Sequence, residues 1–390
     1  MSKRFRKAER LKEVKPSGIR RLFTVAQRVP GIISLGIGEP DFNPPPHVIE
    51  AASQAMKEGK THYAPNAGIP ELREALAEKA KCDYGLSYDP ESEVLVTAGA
   101  TEAVFLALMA QVNPGDEVLV PNPGFLCYGP AVWLAGGVPV PIPLYEREGF
   151  KFNAKTVMSQ VTDKSRAIII NSPHNPTGSV TSYDDLKRLA ELAVERDLVV
   201  ISDEVYEKIT YDNVQHYCLA SFPGMWGRTL VVNSFSKTYA MTGFRVGHVL
   251  GPKELIESMM LVHQHMVACV GTPAQYATLA ALQGSQDCVK RMVNEFDRRR
   301  RFIYSKLNQI EGFRCALPKG AFYVFPNIKN FEMSSVKFSE YLVNEAKVAT
   351  VPGSSFGKYG EGYLRLSYAT NYEKIKEALD RIEKAVNKLK

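Results

Sequence analysis

From about residue 93 the chain alternates two patterns. Short runs of β-branched and aliphatic residues are separated by longer stretches whose apolar positions recur every three or four residues. "EVLVTAG" (93–99) leads into "ATEAVFLALMAQV" (100–112) and then "NPGDEVLVP" (113–121). Farther on, "RAIIIN" (166–171) leads through a loop into "YDDLKRLAELAVERD" (183–197) and then "LVVISDE" (198–204), and "TLVV" (229–232) is another such run. Pro114 and Gly115 stop the first helix, while Asp184 and Asp185 open the second, where the helix dipole favours negative charge. Strand, helix, strand, repeated in this way, predicts an α/β fold with a mostly parallel central sheet covered on both faces. We place this large domain at residues 46–290.

From about 291 the style changes. A charged helix containing "EFDRRRRFIYSKLNQI" is followed by "FRCALPKGAFYVFP", a helix near "SVKFSEYLVNEA", a strand "YLRLSYA" and a last helix "YEKIKEALDRIEKAVNKLK". This predicts a smaller α+β domain over 291–390, with residues 1–45 as an N-terminal arm that supplies part of it. The arginines at 298–301 lie on a helix with interleaved acids and are expected on a solvated face rather than against nucleic acid.

A chain of 390 residues with 45% hydrophobic content is long enough for two domains with a large core. The net charge of +6 is modest, and much of the excess sits in "MSKRFRKAERLKEVKPSGIRR". Glu9 and Glu13 interrupt that arm, and Leu22, Phe23, Val25 and Ala26 predict a packed helix rather than a targeting or nucleic-acid segment. No apolar run reaches bilayer length, so the expectation is a soluble, cytoplasmic protein without a membrane partner. The six cysteines never form a C-x-x-C pair, which argues against a zinc knuckle and suits a reducing compartment. His263 and His265, two apart on a helix, point to different faces, so no metal site is expected.

Ligands of an open parallel sheet bind at the carboxyl ends of its strands. Four predicted strands end there in small or polar residues: Gly99, Ala100 and Thr101; the loop "NSPHNPTG" with Asn175; Asp203, Glu204 and Tyr206; and Ser234, Ser236 and Lys237. A glycine-led turn into a helix, two serines and Arg245 offer what a phosphate requires. An aspartate, a tyrosine and an asparagine can hold a heterocycle by its polar edges. A lysine beside a cation loses its proton more readily and can attack an aldehyde. Phosphate, heterocycle and aldehyde together describe pyridoxal 5′-phosphate.

The stretch "SFSKTYAMTGFRVG" (234–247) resembles the lysine attachment signature of the class I pyridoxal-phosphate aminotransferases, a fold type I family. "SLGIGEPDF", "HYAPNAGIPELREAL", "NSPHNPTG", "SDEVYE", "VPGSSFG" and "YLRLSYA" extend the resemblance in family order from about residue 30 onward. It implies a homodimeric enzyme that moves an amino group between an L-amino acid and a 2-oxo acid. By resemblance, Lys237 forms the internal aldimine, Asp203 pairs with the pyridine nitrogen, and Tyr206 and Asn175 meet the phenolic oxygen. Gly99, Ala100, Thr101, Ser234, Ser236 and Arg245 resemble the phosphate cup, and Phe125 takes the place of the ring that stacks on the cofactor. Arg365 resembles the arginine that holds the substrate α-carboxylate, with Gly38 and Asn175 beside it. Tyr63 resembles the residue that crosses to the phosphate in the partner subunit.

The resemblance implies aspartate, glutamate or an aromatic amino acid as donor and 2-oxoglutarate as acceptor, in a ping-pong reaction. One bacterial branch of aspartate aminotransferases carries a lysine for the distal carboxylate two residues after the phosphate-turn glycine. This chain has Thr101 there, and Phe125, Tyr128 and Phe356 could instead line a pocket for a ring. A carbon–sulfur β-lyase uses the same cofactor residues, and an alanine-type aminotransferase also stays open. A ligand-sensing regulator on this scaffold needs a DNA-binding domain, for which the roughly 30 residues before "GIISLGIGEP" are too few.

Overall fold

The structure is a computed structural model that describes residues 8–14 and 30–389. The helix expected around Leu22 to Ala26 lies outside the described residues. Among these residues the centre is a seven-stranded sheet of β2 (Val94–Thr97), β3 (Glu117–Asn122), β4 (Val138–Pro143), β5 (Ser165–Asn171), β6 (Val199–Asp203), β7 (Thr229–Ser234) and β8 (Gly247–Leu250), with β1 (Ile33–Ser34) lying apart. The spatial order is β2-β8-β7-β6-β5-β3-β4. All neighbours pair in parallel except β8, which is antiparallel to both β7 and β2.

The apolar runs divide their residues between two cores, as a strand's two-residue period requires. Leu95, Val118, Val120, Ala167, Ile169 and Ile201 face one core, against α3 (Ala100–Gln111), α4 (Tyr128–Leu134) and α8 (Lys253–Met266). The alternate residues Leu119, Ile168, Ile170 and Val200 meet Leu186 and Leu189 of α6 (Tyr183–Glu195) on the other face. Val94 and Val96 meet that side through α1 (Pro46–Lys57), α2 (Pro70–Tyr84) and α9 (Thr272–Gln283). Helix α6 begins with Ser182, whose hydroxyl accepts from the Asp185 amide, so the acidic first turn read from sequence has a capping serine as well.

The C-terminal part adds a three-stranded antiparallel sheet, β11 (Val351–Pro352), β12 (Leu364–Ser367) and β9 (Tyr323–Val324). A further strand, β10 (Val348–Ala349), pairs in parallel with β1, so the segment at 33–34 joins this part. Their core takes Phe296, Ile303 and Leu307 from α10 (Asp287–Gln309) and Ile375, Leu379 and Ile382 from α12 (Tyr372–Val386), with α11 (Ser335–Tyr341) supplying Phe338. Val205, Tyr206 and Ile209, just after β6, belong to the same core. Helix α10 starts at Asp287 and runs across the 290/291 boundary placed from sequence.

The arginines at 298–301 do not all lie on a solvated face. Arg298 and Arg301 are exposed, but Arg300 is fully buried and Arg299 nearly so. Arg300 forks onto Asp212 at 2.8 and 2.9 Å and donates to the Pro318 carbonyl, while Arg299 reaches Asp41 at 2.7 Å. Residues three and four apart on α10 share a face, so a run of four arginines must turn some inward, where these acids compensate them. Hydrogen bonding from Arg300 and Lys319 holds the Asp212 carboxyl well below the usual range. His263 is a satisfied core histidine between Glu102 Oε1 and the Asn66 carbonyl, each at 3.0 Å.

Candidate active site

Strands β2 and β7 are each antiparallel to β8 and therefore parallel to one another, and β5, β6 and β7 pair in parallel. The carboxyl ends of all four consequently share one edge. A cavity of about 260 Å³ opens at that edge. Asn175, Asp203, Tyr206 and Lys237 line it, as do Ala100, Thr101, Ser234, Ser236 and Arg245. Gly38, Phe125 and Arg365 complete the set from other segments.

Lys237 sits on α7 (Phe235–Thr238), a single turn entered from β7 through Ser234, whose hydroxyl accepts from the Ser236 amide at 3.1 Å. Its Nζ donates to the Gly38 carbonyl at 2.6 Å. Burial pushes this amine down to about 8, the positive charge of Arg365 adds to that, and Glu39 opposes it. A lysine poised there supplies a neutral amine close to neutral pH, where an ordinary one is almost wholly protonated.

Asp203 ends β6 and is buried. Burial raises its carboxyl to about 6, against the hydroxyl of Tyr128, which donates to Oδ2 at 2.6 Å and favours the charged form. Asn171 ties the strand ends together: its Nδ2 donates to the Asp203 carbonyl at 2.9 Å and its Oδ1 accepts from the Asn175 amide at 2.9 Å. Asn175 in turn accepts from Arg365 Nη1 at 3.0 Å, and Arg365 Nη2 donates to the Gly36 carbonyl at 2.6 Å. Arg365 is buried, its Nε has no partner among the described residues, and its guanidinium lies 4.4 Å from the centre of the Tyr323 ring. A buried donor without an acceptor is costly, so this side chain is built to receive one.

Gly99 caps α3 at φ 82°, a conformation that side chains rarely adopt, and a Cβ there would stand 2.6 Å from Arg245 Nη2. Gly99 does not line the cavity itself; it lets the Arg245 guanidinium lie against the turn, where Nη2 approaches the Ala98 carbonyl at 3.4 Å. Gly38 is equally constrained, because a Cβ would overlap the Tyr323 hydroxyl. Tyr63 is 90% exposed and stands outside this cavity.

The chain matches the family described as aminotransferase class I and II over residues 30–382. That match covers most of the chain. The protein belongs to the class I and II aminotransferases. This aminotransferase is 50% identical over 385 residues to an aspartate aminotransferase of Pyrococcus abyssi, covering 98% of this chain and 99% of that one. It is 48% identical to aromatic-amino-acid aminotransferase 2 of Thermococcus litoralis, again covering 98% and 99%. Among solved structures, Pyrococcus protein-A1 superposes with a TM-score of 0.96 at 50% identity, over 97% of this chain and 98% of that one. The fold is fold type I, as expected, and the relatives' names support amino transfer and not the carbon–sulfur lyase alternative.

Two groups that hold this aminotransferase's site residues in place, Tyr323 and Asn171, were not singled out from sequence. Tyr323 lines the cavity and shares a 2.9 Å hydrogen bond with Tyr206, so the Tyr206 hydroxyl is engaged by another tyrosine. Asn171 opens the segment "NSPHNPTG", four residues before Asn175. Tyr128 does line the cavity, but with its hydroxyl committed to Asp203. Phe356 is not on the wall; it is buried behind it, with its ring centre 4.9 Å from the Arg365 guanidinium.

Proposed function

We propose that this aminotransferase moves an amino group between aspartate, glutamate or an aromatic L-amino acid and a 2-oxo acid such as 2-oxoglutarate, in two half-reactions, using pyridoxal 5′-phosphate. The observation that carries the reading is the Lys237 amine, held near neutrality in a cavity that also contains a buried carboxylate and two guanidinium groups. The cavity fits the cofactor in three respects. Arg245, the serine hydroxyls of Ser234 and Ser236, and the α3 turn at Gly99, Ala100 and Thr101 suit a phosphate. Asp203 offers a carboxylate for a ring cation, and Phe125 offers a face for a ring.

When bound, pyridoxal phosphate supplies an aldehyde for the lysine amine and a ring that stores the electron pair released at the substrate Cα. In this reading the charge of Asp203 would keep the ring nitrogen protonated. Tyr206 and Asn175 would hold the ring's phenolic oxygen. Arg365, oriented by its hydrogen bonds to Asn175 Oδ1 and the Gly36 carbonyl, would grip the substrate α-carboxylate through its guanidinium, fixing which Cα bond can break. Gly38 lies beside it, its carbonyl holding the Lys237 amine. Lys237 would be the general base that takes the proton from the substrate Cα.

The donor range rests on the two named relatives, one for aspartate and one for aromatic amino acids, and on a wall where Phe125, Val104 and Tyr323 are apolar surfaces. Thr101 brings no cation for a distal carboxylate. An apolar pocket separates shapes by only about 1–3 kcal/mol per methylene-sized difference, so overlapping activity is the consequence. Comparing kcat/KM for aspartate, glutamate, phenylalanine, tyrosine and alanine tests this: the four larger donors are each expected to exceed alanine, and alanine ahead by tenfold would refute it.

We further read the chain as a large domain at 46–290, a small domain at 291–390 and an arm at 1–45, working as a cytoplasmic homodimer. In this reading the Tyr63 ring, 90% exposed, would reach the phosphate region of the second subunit. No helix among the described residues is long and apolar enough to cross a membrane.

A further inference from the structure

Among the described residues Asp203 is the one carboxylate lining the cavity, and the groups around it decide when it is charged. Glu204 follows it in the chain and repels a negative charge there. Lys237, from α7, attracts one. Cys127 and Tyr206 face it as neutral groups, both held protonated by burial. The Val205 amide makes a long contact of 3.4 Å to Oδ1. Against these, the Tyr128 hydroxyl donates to Oδ2 at 2.6 Å from the first residue of α4, and both side chains are buried.

Tyr128 is fixed for that purpose. Burial and the neighbouring Asp203 charge hold its hydroxyl well above its usual range, so it stays a donor throughout the working pH. Its ring packs edge-on against Phe125 at 5.7 Å between centres, which sets its direction. Among the described residues, two hydrogen bonds reach the Asp203 carboxylate, and this is the shorter and the one from a side chain.

We propose that Tyr128 is a positioning residue that keeps Asp203 ionised: its hydroxyl clamps Oδ2 and so preserves the negative charge that the cofactor ring nitrogen needs. The inference rests on the role proposed for Asp203. A short hydrogen bond to the charged form of a carboxyl lowers its proton affinity, while a plain packing role for the ring would leave that affinity unchanged. Deleting the hydroxyl and keeping the ring separates the two.

The experiment uses Tyr128→Phe in the full chain, with two readouts. In cofactor-free protein with 13C-labelled aspartate carboxyls, the Asp203 resonance, assigned by its loss in Asp203→Asn, is titrated. It is expected to move to higher pH in Tyr128→Phe by about one unit, a tenfold gain in proton affinity. In loaded enzyme the acid limb of kcat/KM should move up in step, with most of the parent rate recovered at alkaline pH. An unmoved resonance, or a rate lowered equally at every pH, overturns the proposal. Should Tyr128→Phe fail to fold, 3-fluorotyrosine at position 128 keeps the shape and sharpens the donor, and the Asp203 resonance should then move to lower pH; no movement overturns it. If instead Asp203→Asn turns over at the parent rate, the role of Asp203 itself fails, whatever Tyr128 does to the titration.

Discussion

Lys237 donates to the Gly38 carbonyl at 2.6 Å, in a setting where burial and Arg365 both oppose its charge. Removing that amine should abolish the reaction without unfolding the chain. Lys237→Ala is expected to lose nearly all amino transfer and any borohydride-stable cofactor link, with an unchanged far-UV spectrum; a link that survives in the variant would move the role to another residue. The residues that form chemistry at one point were readable because each ends a strand or follows one by a few positions. Tyr323 was not readable, since its partners Tyr206 and Gly38 lie 117 and 285 positions away and its local string "GAFYVFP" looks like ordinary core. The buried pair Arg299 and Arg300 shows the same limit: a charge run signals solvent until the acids that neutralise it, Asp41 and Asp212, are brought in from elsewhere.

The elements that carry the site were legible where their pattern is strong. Strands β2, β3, β5, β6 and β7 and helices α3 and α6 fall where the apolar runs and periodic stretches place them. Strand β4 was not expected because its sequence "VPVPIP" has a proline at every second position, which a central strand excludes. It stands at the sheet edge and pairs on one side, so the missing amides face no strand among the described residues. The antiparallel sense of β8 was equally hidden, as local sequence does not record strand direction. The turn from β2 into α3 gives a prediction at this scale. Gly99→Ala must hold a side chain at φ 82° and push Arg245 away, at a cost of about 1–3 kcal/mol. It should lower the melting temperature by a few degrees and weaken cofactor binding; parent-like values of both would contradict the close approach described here.

For the molecule as a whole, pH is the informative variable. Burial pushes His174 and His248 down to about 3, so the folded chain leaves them neutral while the unfolded chain protonates them near 6.5. Between those values the unfolded state binds more protons, and stability falls as pH falls, by up to about 1.4 kcal/mol per unit for each group. Glu295, held down to about 2 chiefly by hydrogen bonding to Arg298, loses its contribution in the same direction below the ordinary carboxylate range. Asp203 works the other way between about 6 and its unfolded value near 4, because its folded carboxyl takes up a proton first. Two histidines outweigh one aspartate. The melting temperature should therefore decline steadily from pH 7 to pH 4.5, and a flat or rising profile would show that these imidazoles are not buried neutral. The most direct test of the whole account is a single half-reaction without acceptor. Cofactor-loaded protein mixed with excess aspartate or phenylalanine should convert its bound cofactor to the pyridoxamine form and release one equivalent of the matching 2-oxo acid per active site. Failure to form pyridoxamine phosphate with any amino acid, or continuing release of ammonia and oxo acid without an acceptor, would contradict it.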